Sequence, residues 1–106
     1  MTWEIVYHKD VDNDLKSVGP AAAKRIMLTI DKKLTTAPEK FGSPLSNNLK
    51  GFRKLRIGDF RVVYQVLNKK VIVFVLAVGP RRDKEIYRSA STRNPTNNDN
   101  KENLTP

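Results

Sequence analysis

The segment from residue 52 to residue 78 constrains the fold of this chain most, because it has the pattern of consecutive β-strands with only two short interruptions. Through much of it apolar side chains alternate with polar ones, as in strands that bury one face. Gly58-Asp59 and Asn68-Lys69 are each short enough to form a two-residue hairpin turn, and Gly58 suits a type II′ turn. The sequence therefore predicts an antiparallel meander with strands from Phe52 to Ile57, Phe60 to Leu67 and Lys70 to Val78.

The third of these strands has the composition of a central strand. Residues 71–78 are apolar without exception. A strand that has no polar face needs cover on both sides, which an edge position does not provide. We therefore expect this strand to lie inside the sheet, with Gly79, Pro80, Arg81 and Arg82 following its end.

The N-terminal half predicts one strand and a pair of helices. Residues 2–7 are rich in β-forming side chains, and Asp10 is a candidate cap for a helix that ends at Gly19-Pro20. A second helix is expected from Pro20 to about Thr35, and residues 37–50 predict a long loop. The core-facing stripe of this second helix is expected at Ala23, Met27, Ile30 and Leu34. The predicted fold class is α+β, with a strand, a helical hairpin and a meander, and with the helices on one face of a small sheet.

The length of 106 residues is that of a single domain. We assign residues 1–90 to this domain and residues 91–106 to a disordered polar tail, in which Leu104 is the only large apolar residue. The longest apolar stretch is far too short to span a bilayer, and the N-terminus is charged where a signal peptide would be apolar. We therefore expect a soluble, cytoplasmic protein.

Cysteine and histidine usage excludes several kinds of chemistry. The chain has no cysteine and one histidine, His8. Disulfides, thiolate metal sites and cysteine nucleophiles are thereby excluded, and a histidine metal cage or a Ser-His-Asp triad would depend on His8 alone. His8 lies in the N-terminal segment, away from the basic residues described next, and we expect it to have a structural or solvent-exposed role.

Positive charge is concentrated in one part of the chain. The formal net charge is +9, and residues 50–90 carry eleven Lys and Arg against three Asp and Glu. A local excess of this size attracts polyanions. Nucleic acid, an anionic membrane surface or an acidic protein are therefore the partners to consider first.

The predicted hairpin places much of this charge on one face of the sheet. If Gly58-Asp59 forms a two-residue turn, Arg56 lies directly opposite Arg61, and alternation puts Lys54 on the same face. Two arginines in such a pair repel each other, and no Asp or Glu occurs between residues 50 and 58. We therefore expect a multivalent anion to complete the cluster.

Two segments of the chain resemble a known family. The string KLRIGDFRVVY at residues 54–64, and residues 73–79 followed by Arg81 and Tyr87, are similar to the RelE/ParE superfamily of toxins from type II toxin–antitoxin systems. The resemblance extends over residues 2–93, includes the order of the predicted elements, and is greatest to the RelE branch. It implies a RelE-like fold and a metal-independent endoribonuclease, without cofactor, that cleaves mRNA in the ribosomal A site.

By this resemblance, Lys54, Arg61, Arg81 and Tyr87 fall on catalytic positions. Attack of a ribose 2′-OH on the adjacent phosphate needs a base, an acid for the leaving 5′-oxygen, and cations around the phosphate. The two arginines suit the phosphate oxygens. The sequence leaves open which of Lys54 and Tyr87 is the base and which the acid. RNA contacts are expected from neighbouring basic side chains, namely Arg53, Arg56, Arg82, Lys84 and Arg88.

The resemblance also implies partners and an alternative function. The expected partners are a cognate acidic antitoxin, in a hetero-oligomer with the toxin, together with mRNA and the ribosome, but no membrane. The alternative is a ParE-like toxin that inhibits DNA gyrase without cutting RNA, or a homologue that only binds. RelE members often carry a second lysine two residues before the position of Lys54; this chain has Phe52 there, and we expect Phe52 to pack at the start of its strand.

Overall fold

The computed structural model describes residues 2–82 and 84–93. The elements in chain order are β1 (Glu4–Tyr7), α1 (Val11–Val18), α2 (Pro20–Leu34), β2 (Ser43–Pro44), a 3-10 turn (Asn47–Leu49), β3 (Phe52–Ile57), β4 (Phe60–Leu67), β5 (Ile72–Pro80) and α3 (Glu85–Thr92). The strands form one sheet in the order β1-β5-β4-β3-β2. The α+β class predicted from the sequence is confirmed.

The first hairpin of the meander has the predicted register. β3 and β4 are antiparallel, with Ile57 opposite Phe60 and Arg56 opposite Arg61. Gly58 has a φ of 60°, and Asp59 is not among the residues with positive φ, which is the combination that a type II′ turn requires. β5 lies between β4, to which it is antiparallel, and β1, to which it is parallel. The apolar strand is thus internal, as expected.

The second connection is longer than predicted. Leu67 pairs with Ile72, so residues 68–71 form the turn, and β5 begins at Ile72 instead of Lys70. The backbone N–H groups of Lys70 and Val71 donate to the carbonyls of Leu67 and Asn68. These two hydrogen bonds close a four-residue turn. Within it, Val71 has a φ of 56°, a conformation that a β-branched residue rarely adopts.

Helices cover both faces of the sheet, so the expectation of helices on one face only is wrong. α1 and α2 pack on one face, where Ile26 and Ile30 meet strand residues such as Val62. α3 packs on the opposite face through Ile86 and Ala90. The reason is that part of this second face is itself apolar and must be covered; its buried residues include Phe52, Val63 and Ala77.

Two details of the helical hairpin also differ from prediction. The buried row of α2 is Ile26, Ile30 and Leu34, at a spacing of four residues, whereas Met27 is 39% exposed. The helix is therefore rotated so that only two members of the predicted stripe lie in the core. Asp10 precedes α1, but its side chain makes no capping hydrogen bond.

The folded part of the chain extends beyond the predicted domain boundary at residue 90. α3 continues through Thr92, and Arg93 forms an ion pair with Asp14. Residues 91–93 therefore belong to the domain and not to the tail. The remainder of the predicted tail, residues 94–106, lies outside the described residues. In the described ranges, no helix has the length and apolar character needed to cross a membrane.

A buried tyrosine holds the long loop between α2 and β3. The hydroxyl of Tyr64 lies 2.7 Å from the carbonyl oxygens of both Pro38 and Phe41. Within the same loop, β2 pairs with β3 so that Ser43 lies opposite Lys54. The loop is thus fixed to the central part of the sheet and supports the strand that carries Lys54.

Candidate active site and nucleic-acid interface

A cluster of arginines forms at the end of the sheet where β3 turns into β4. Arg61 lies opposite Arg56 on β3 and opposite Gly79 on β5. Arg81 follows Gly79 by two residues, and its backbone N–H donates to the carbonyl of Asp59 at 2.7 Å. The chain after β5 is therefore fastened to the β3–β4 turn, and this brings Arg81 to the end of the sheet where Arg56 and Arg61 lie.

Tyr87 reaches this cluster from α3. An Nη1–H of Arg61 donates to the Tyr87 hydroxyl, and the guanidinium carbon lies 5.5 Å from the centroid of the Tyr87 ring. Ile86, the residue before Tyr87, is buried against the sheet. The packing of α3 therefore determines where the Tyr87 hydroxyl lies. A phenol that can donate or accept a proton is held next to a permanent cation.

The two predicted catalytic arginines both have donors that no described residue uses. The Nε atoms of Arg61 and Arg81 are buried and lack a hydrogen-bond partner among the described residues. A buried donor left unpaired costs about 1–3 kcal/mol. Because guanidinium donors are matched best by carboxylate or phosphate oxygens, the cluster has the chemistry of an anion site.

Lys54 is close to the cluster in the sheet. It lies two residues before Arg56 on the same face of β3, opposite Val63 of β4, and it is half-buried. Within residues 2–82 and 84–93, its ammonium group takes part in no recorded hydrogen bond or ion pair. It is thus available to a ligand that spans the arginine cluster.

The basic residues that follow Arg81 and are expected to contact RNA are exposed, and one of them lies beside Arg81. Arg82 and Asp59 line a cavity of about 390 Å³ with Arg81, and Lys84 is exposed at the start of α3. The side chain of Arg88 is 79% exposed and lies 3.5 Å from Glu85. Among the described residues no three His, Asp or Glu side chains form a group that could hold a metal ion.

Arg53 does not join the cluster. It lies opposite Tyr64 on β4, which puts its side chain on the face covered by α1 and α2. Its Nη2 donates to the carbonyls of Glu39, Phe41 and Gly42. Alternation along β3 separates Arg53 from Lys54 and Arg56, and its contact with RNA stays a prediction.

His8 has a structural environment, as expected. Its Nδ1 accepts the backbone N–H of Asp10 at 3.1 Å. Burial is the main cause that lowers the pKa of His8, although nearby Asp10 acts in the opposite direction. The imidazole therefore favours the neutral form that can accept this hydrogen bond. Phe52 is also structural, because it is buried in the core beneath α3.

The structure also contains an ion pair at the end of α3, between Arg93 and Asp14, that the sequence did not predict. Arg93 binds Asp14 through two contacts, Nη1 to Oδ2 at 2.7 Å and Nη2 to Oδ1 at 3.2 Å. The two side chains are only 14% and 17% exposed. Because the partners are 79 positions apart, no local pattern could reveal the pair.

Comparison with known proteins identifies the family of this chain. A model of the ParE toxin of the type II toxin–antitoxin system ParDE matches residues 5–85. The chain belongs to the RelE/ParE toxin superfamily. A RelE-like toxin protein of Escherichia coli is 31% identical to this superfamily member over 98 residues, which are 88% of this chain and 98% of that protein.

Two further similarities are to a RelE toxin and to a chain of a toxin–antitoxin complex. The mRNA interferase toxin RelE of Escherichia coli K12 is 50% identical over 40 residues, which are 38% of this RelE/ParE toxin and only 42% of the relative's length. The toxin–antitoxin complex RelBE2 from Mycobacterium tuberculosis contains a chain with a TM-score of 0.73 and 23% identity. That likeness covers 78% of this toxin and 95% of the other chain, and it is a likeness of fold.

Proposed function

We propose that this toxin is an endoribonuclease that cleaves mRNA in the ribosomal A site without a metal ion. The observation that carries the proposal is that the Nε atoms of Arg61, which binds the Tyr87 hydroxyl, and of Arg81 are buried without a partner among residues 2–82 and 84–93. A phosphodiester would supply the missing acceptors. The local similarity to an mRNA interferase supports the same reading, although it extends over 40 residues only.

Each step of a metal-free cleavage has a candidate group in this site. The ribose 2′-oxygen attacks the adjacent phosphorus, the bond from phosphorus to the 5′-oxygen breaks, and the 5′-oxygen takes up a proton. Arg61 and Arg81 would bind the non-bridging oxygens, on which charge increases in the transition state. Preorganised donors of this kind are worth about 10²- to 10³-fold in rate each.

The contact between Arg61 and Tyr87 favours one assignment of acid and base. Since Arg61 donates to the phenol oxygen, the proton of the phenol remains available to another acceptor. Tyr87 is therefore suited to protonate the leaving 5′-oxygen, and Lys54 is left to accept the proton of the 2′-OH. Arg56, Arg82, Lys84 and Arg88 would contact neighbouring phosphates.

We propose a cognate acidic antitoxin as the protein partner, which would bind the basic face and exclude RNA. The related Mycobacterium tuberculosis chain was solved as a toxin–antitoxin complex. In this toxin, residues 50–90 carry eleven Lys and Arg against three Asp and Glu. Complementary charge of this kind accelerates association and excludes wrongly charged partners.

The test is single-turnover cleavage of mRNA on programmed ribosomes. Arg81→Ala should lower the cleavage rate by about 10²-fold or more while changing affinity much less, because one phosphate contact among several contributes little to ground-state binding. Lys16→Ala, which removes an exposed positive charge from α1, is the matched control and should cleave at the parent rate. Cleavage should continue after chelation of free divalent ions under conditions that keep the ribosome intact.

The proposal is wrong if the parent protein cuts no RNA in this assay, or if Arg81→Ala cuts as fast as the parent. The family model that matches this chain is that of the ParE toxin, which favours a gyrase-directed toxin as the second candidate. Growth arrest with inhibition of supercoiling by gyrase, and with intact mRNA, would establish that candidate instead.

A further inference from the structure

We propose that Arg93 and Asp14 are positioning residues, which hold α3 so that Tyr87 meets Arg61. The inference rests on the nuclease function proposed above, since it assigns these residues an effect on cleavage. It starts from the ion pair described at the end of α3, whose two side chains also bind the backbone of β5. The Arg93–Asp14 pair and its two backbone contacts are called the α3 latch below.

The α3 latch occupies a part of the β5 edge that no strand of the described residues covers. β1 is paired with β5 from Ile72 to Val75 only, and the last bond is from His8 N–H to the carbonyl of Val75. Beyond this point, the Val78 N–H donates to Asp14 Oδ2 at 3.0 Å, and the Leu76 carbonyl accepts from Arg93 Nη1 at 2.8 Å. The ion pair therefore replaces the missing strand as a partner of the β5 backbone.

α3 is a short helix with a small buried surface. It has eight residues, fewer than an isolated helix needs to be stable, and only Ile86 and Ala90 are buried. Lys84, at its N-terminal cap position, makes no side-chain capping hydrogen bond. The ends of α3 therefore contribute to fixing its position, and Arg93 does so at the C-terminal end.

A displacement of α3 would act directly on the reacting groups. Tyr87 precedes Arg93 by six residues, about 9 Å along a helix axis, and its hydroxyl is bonded to Arg61. If the α3 latch opens, the remaining contacts of the helix, among them those of the buried Ile86 and Ala90, must keep this geometry. A misplacement of about 1 Å at a reacting group can lower a rate by about 10²-fold. RNA affinity should change little, because neither Arg93 nor Asp14 belongs to the arginine cluster.

A double-mutant cycle tests whether Arg93 acts through Tyr87. Arg93→Ala should lower the single-turnover cleavage rate at least 10-fold with RNA affinity within about 2-fold of the parent. In a Tyr87→Phe background, the same change should lower the rate less than about 3-fold, because the hydroxyl to be positioned is already absent. Arg93→Lys, which keeps the charge but not the two-pronged geometry, should restore part of the rate.

Asp14 and its neighbour Asp12 provide a matched pair of variants. Both lie in the first turn of α1, but Asp12 is 76% exposed and binds only Lys16 among the described residues. Asp14→Asn should reproduce the effect of Arg93→Ala, although more weakly because Asp10 lies 3.8 Å from Arg93. Asp12→Asn should leave cleavage unchanged.

Hydrogen exchange tests the α3 latch without RNA. It therefore distinguishes a failure of the positioning role of Arg93 and Asp14 from a failure of the proposed nuclease function. Amides of α3 should exchange at least 10-fold faster in Arg93→Ala or Asp14→Asn, while amides of β4 keep the parent rate. Equal α3 exchange in parent and variants would overturn the inference, as would a loss of cleavage of the same size in both Tyr87 backgrounds. A parent protein that cuts no RNA, but whose α3 exchange responds as expected, would refute the nuclease function and leave the latch intact. If Arg93→Ala fails to fold, Asp14→Asn and Arg93→Lys carry the same measurements.

Discussion

Replacing Tyr64 by phenylalanine should destabilise the protein through the loop between α2 and β3. Tyr64 is fully buried, and its single hydroxyl proton is shared between the carbonyl oxygens of Pro38 and Phe41. Burial is the main cause that raises the pKa of this phenol, although Arg53 opposes it. The group is therefore protonated, and able to donate, across the physiological range of pH.

The size of the destabilisation depends on whether the carbonyls of Pro38 and Phe41 keep another hydrogen-bond donor when the Tyr64 hydroxyl is removed. The Phe41 carbonyl keeps a contact with Arg53 Nη2 at 3.3 Å. The Pro38 carbonyl has no other recorded donor in the described part of the chain. One buried acceptor left unsatisfied costs about 1–3 kcal/mol. With a typical urea dependence of about 1–3 kcal/mol per molar, the unfolding midpoint of Tyr64→Phe should decrease by about 1 M.

The assay is urea unfolding of the parent, Tyr64→Phe and Tyr7→Phe. Tyr7 is the matched control, because its hydroxyl makes no recorded hydrogen bond in the described residues, while burial and the charge of Asp31 raise its pKa to about 12. Its loss should shift the midpoint far less than the loss of the Tyr64 hydroxyl. If the two variants unfold at the same urea concentration, the Tyr64 hydroxyl does not hold the loop.

Three other outcomes are expected. Gly42→Ala should be much more destabilising than Gly51→Ala in chemical denaturation: both glycines have positive φ, but only at Gly42 would a Cβ lie 2.4 Å from a backbone oxygen. Because the pKa of His8 is lowered in the fold, the free energy of unfolding should decrease as the pH falls below 6.5. This slope should be absent in His8→Asn, whose amide oxygen can accept the same hydrogen bond, and equal slopes would contradict the assignment. If about five cations contact phosphates, the affinity for single-stranded RNA should fall with a log–log salt slope near −3.5, from about 0.7 per contact, and a slope near zero would exclude the cationic face as the binding surface.

The parts of the fold that could be predicted are those determined by local geometry. A two-residue turn leaves one possible register, so the pairing of Arg56 with Arg61 followed from the position of Gly58. The turn after Leu67 was predicted too short because Asn68-Lys69 has turn-forming residues, whereas the turn also includes Val71 in an unfavourable conformation. Sequence patterns do not report such local exceptions.

The parts that could not be predicted depend on contacts between distant residues. α3 has two buried apolar side chains in a polar segment, too few to indicate which face of the sheet it covers. The pairing of Asp14 with Arg93 joins positions with no local relation. For the site, charge counting indicated the segment in which the arginines meet, but it could not show that loop carbonyls hold the side chain of Arg53 on the face opposite Lys54 and Arg56.

Because Arg56 of β3 lies opposite Arg61 of β4, binding of an anion to this face should raise the thermal stability of the protein. Arg56 and Arg61 lie directly opposite each other, an arrangement in which like charges destabilise a sheet, and two buried Nε atoms of the cluster have no partner in the described part of the chain. An anion that binds only the folded state stabilises it by mass action, by about 2.7 kcal/mol at a concentration one hundred times its Kd. The melting temperature measured with phosphate, short oligonucleotides or acidic peptides would therefore rank the ligands of this face before any target RNA or antitoxin is known.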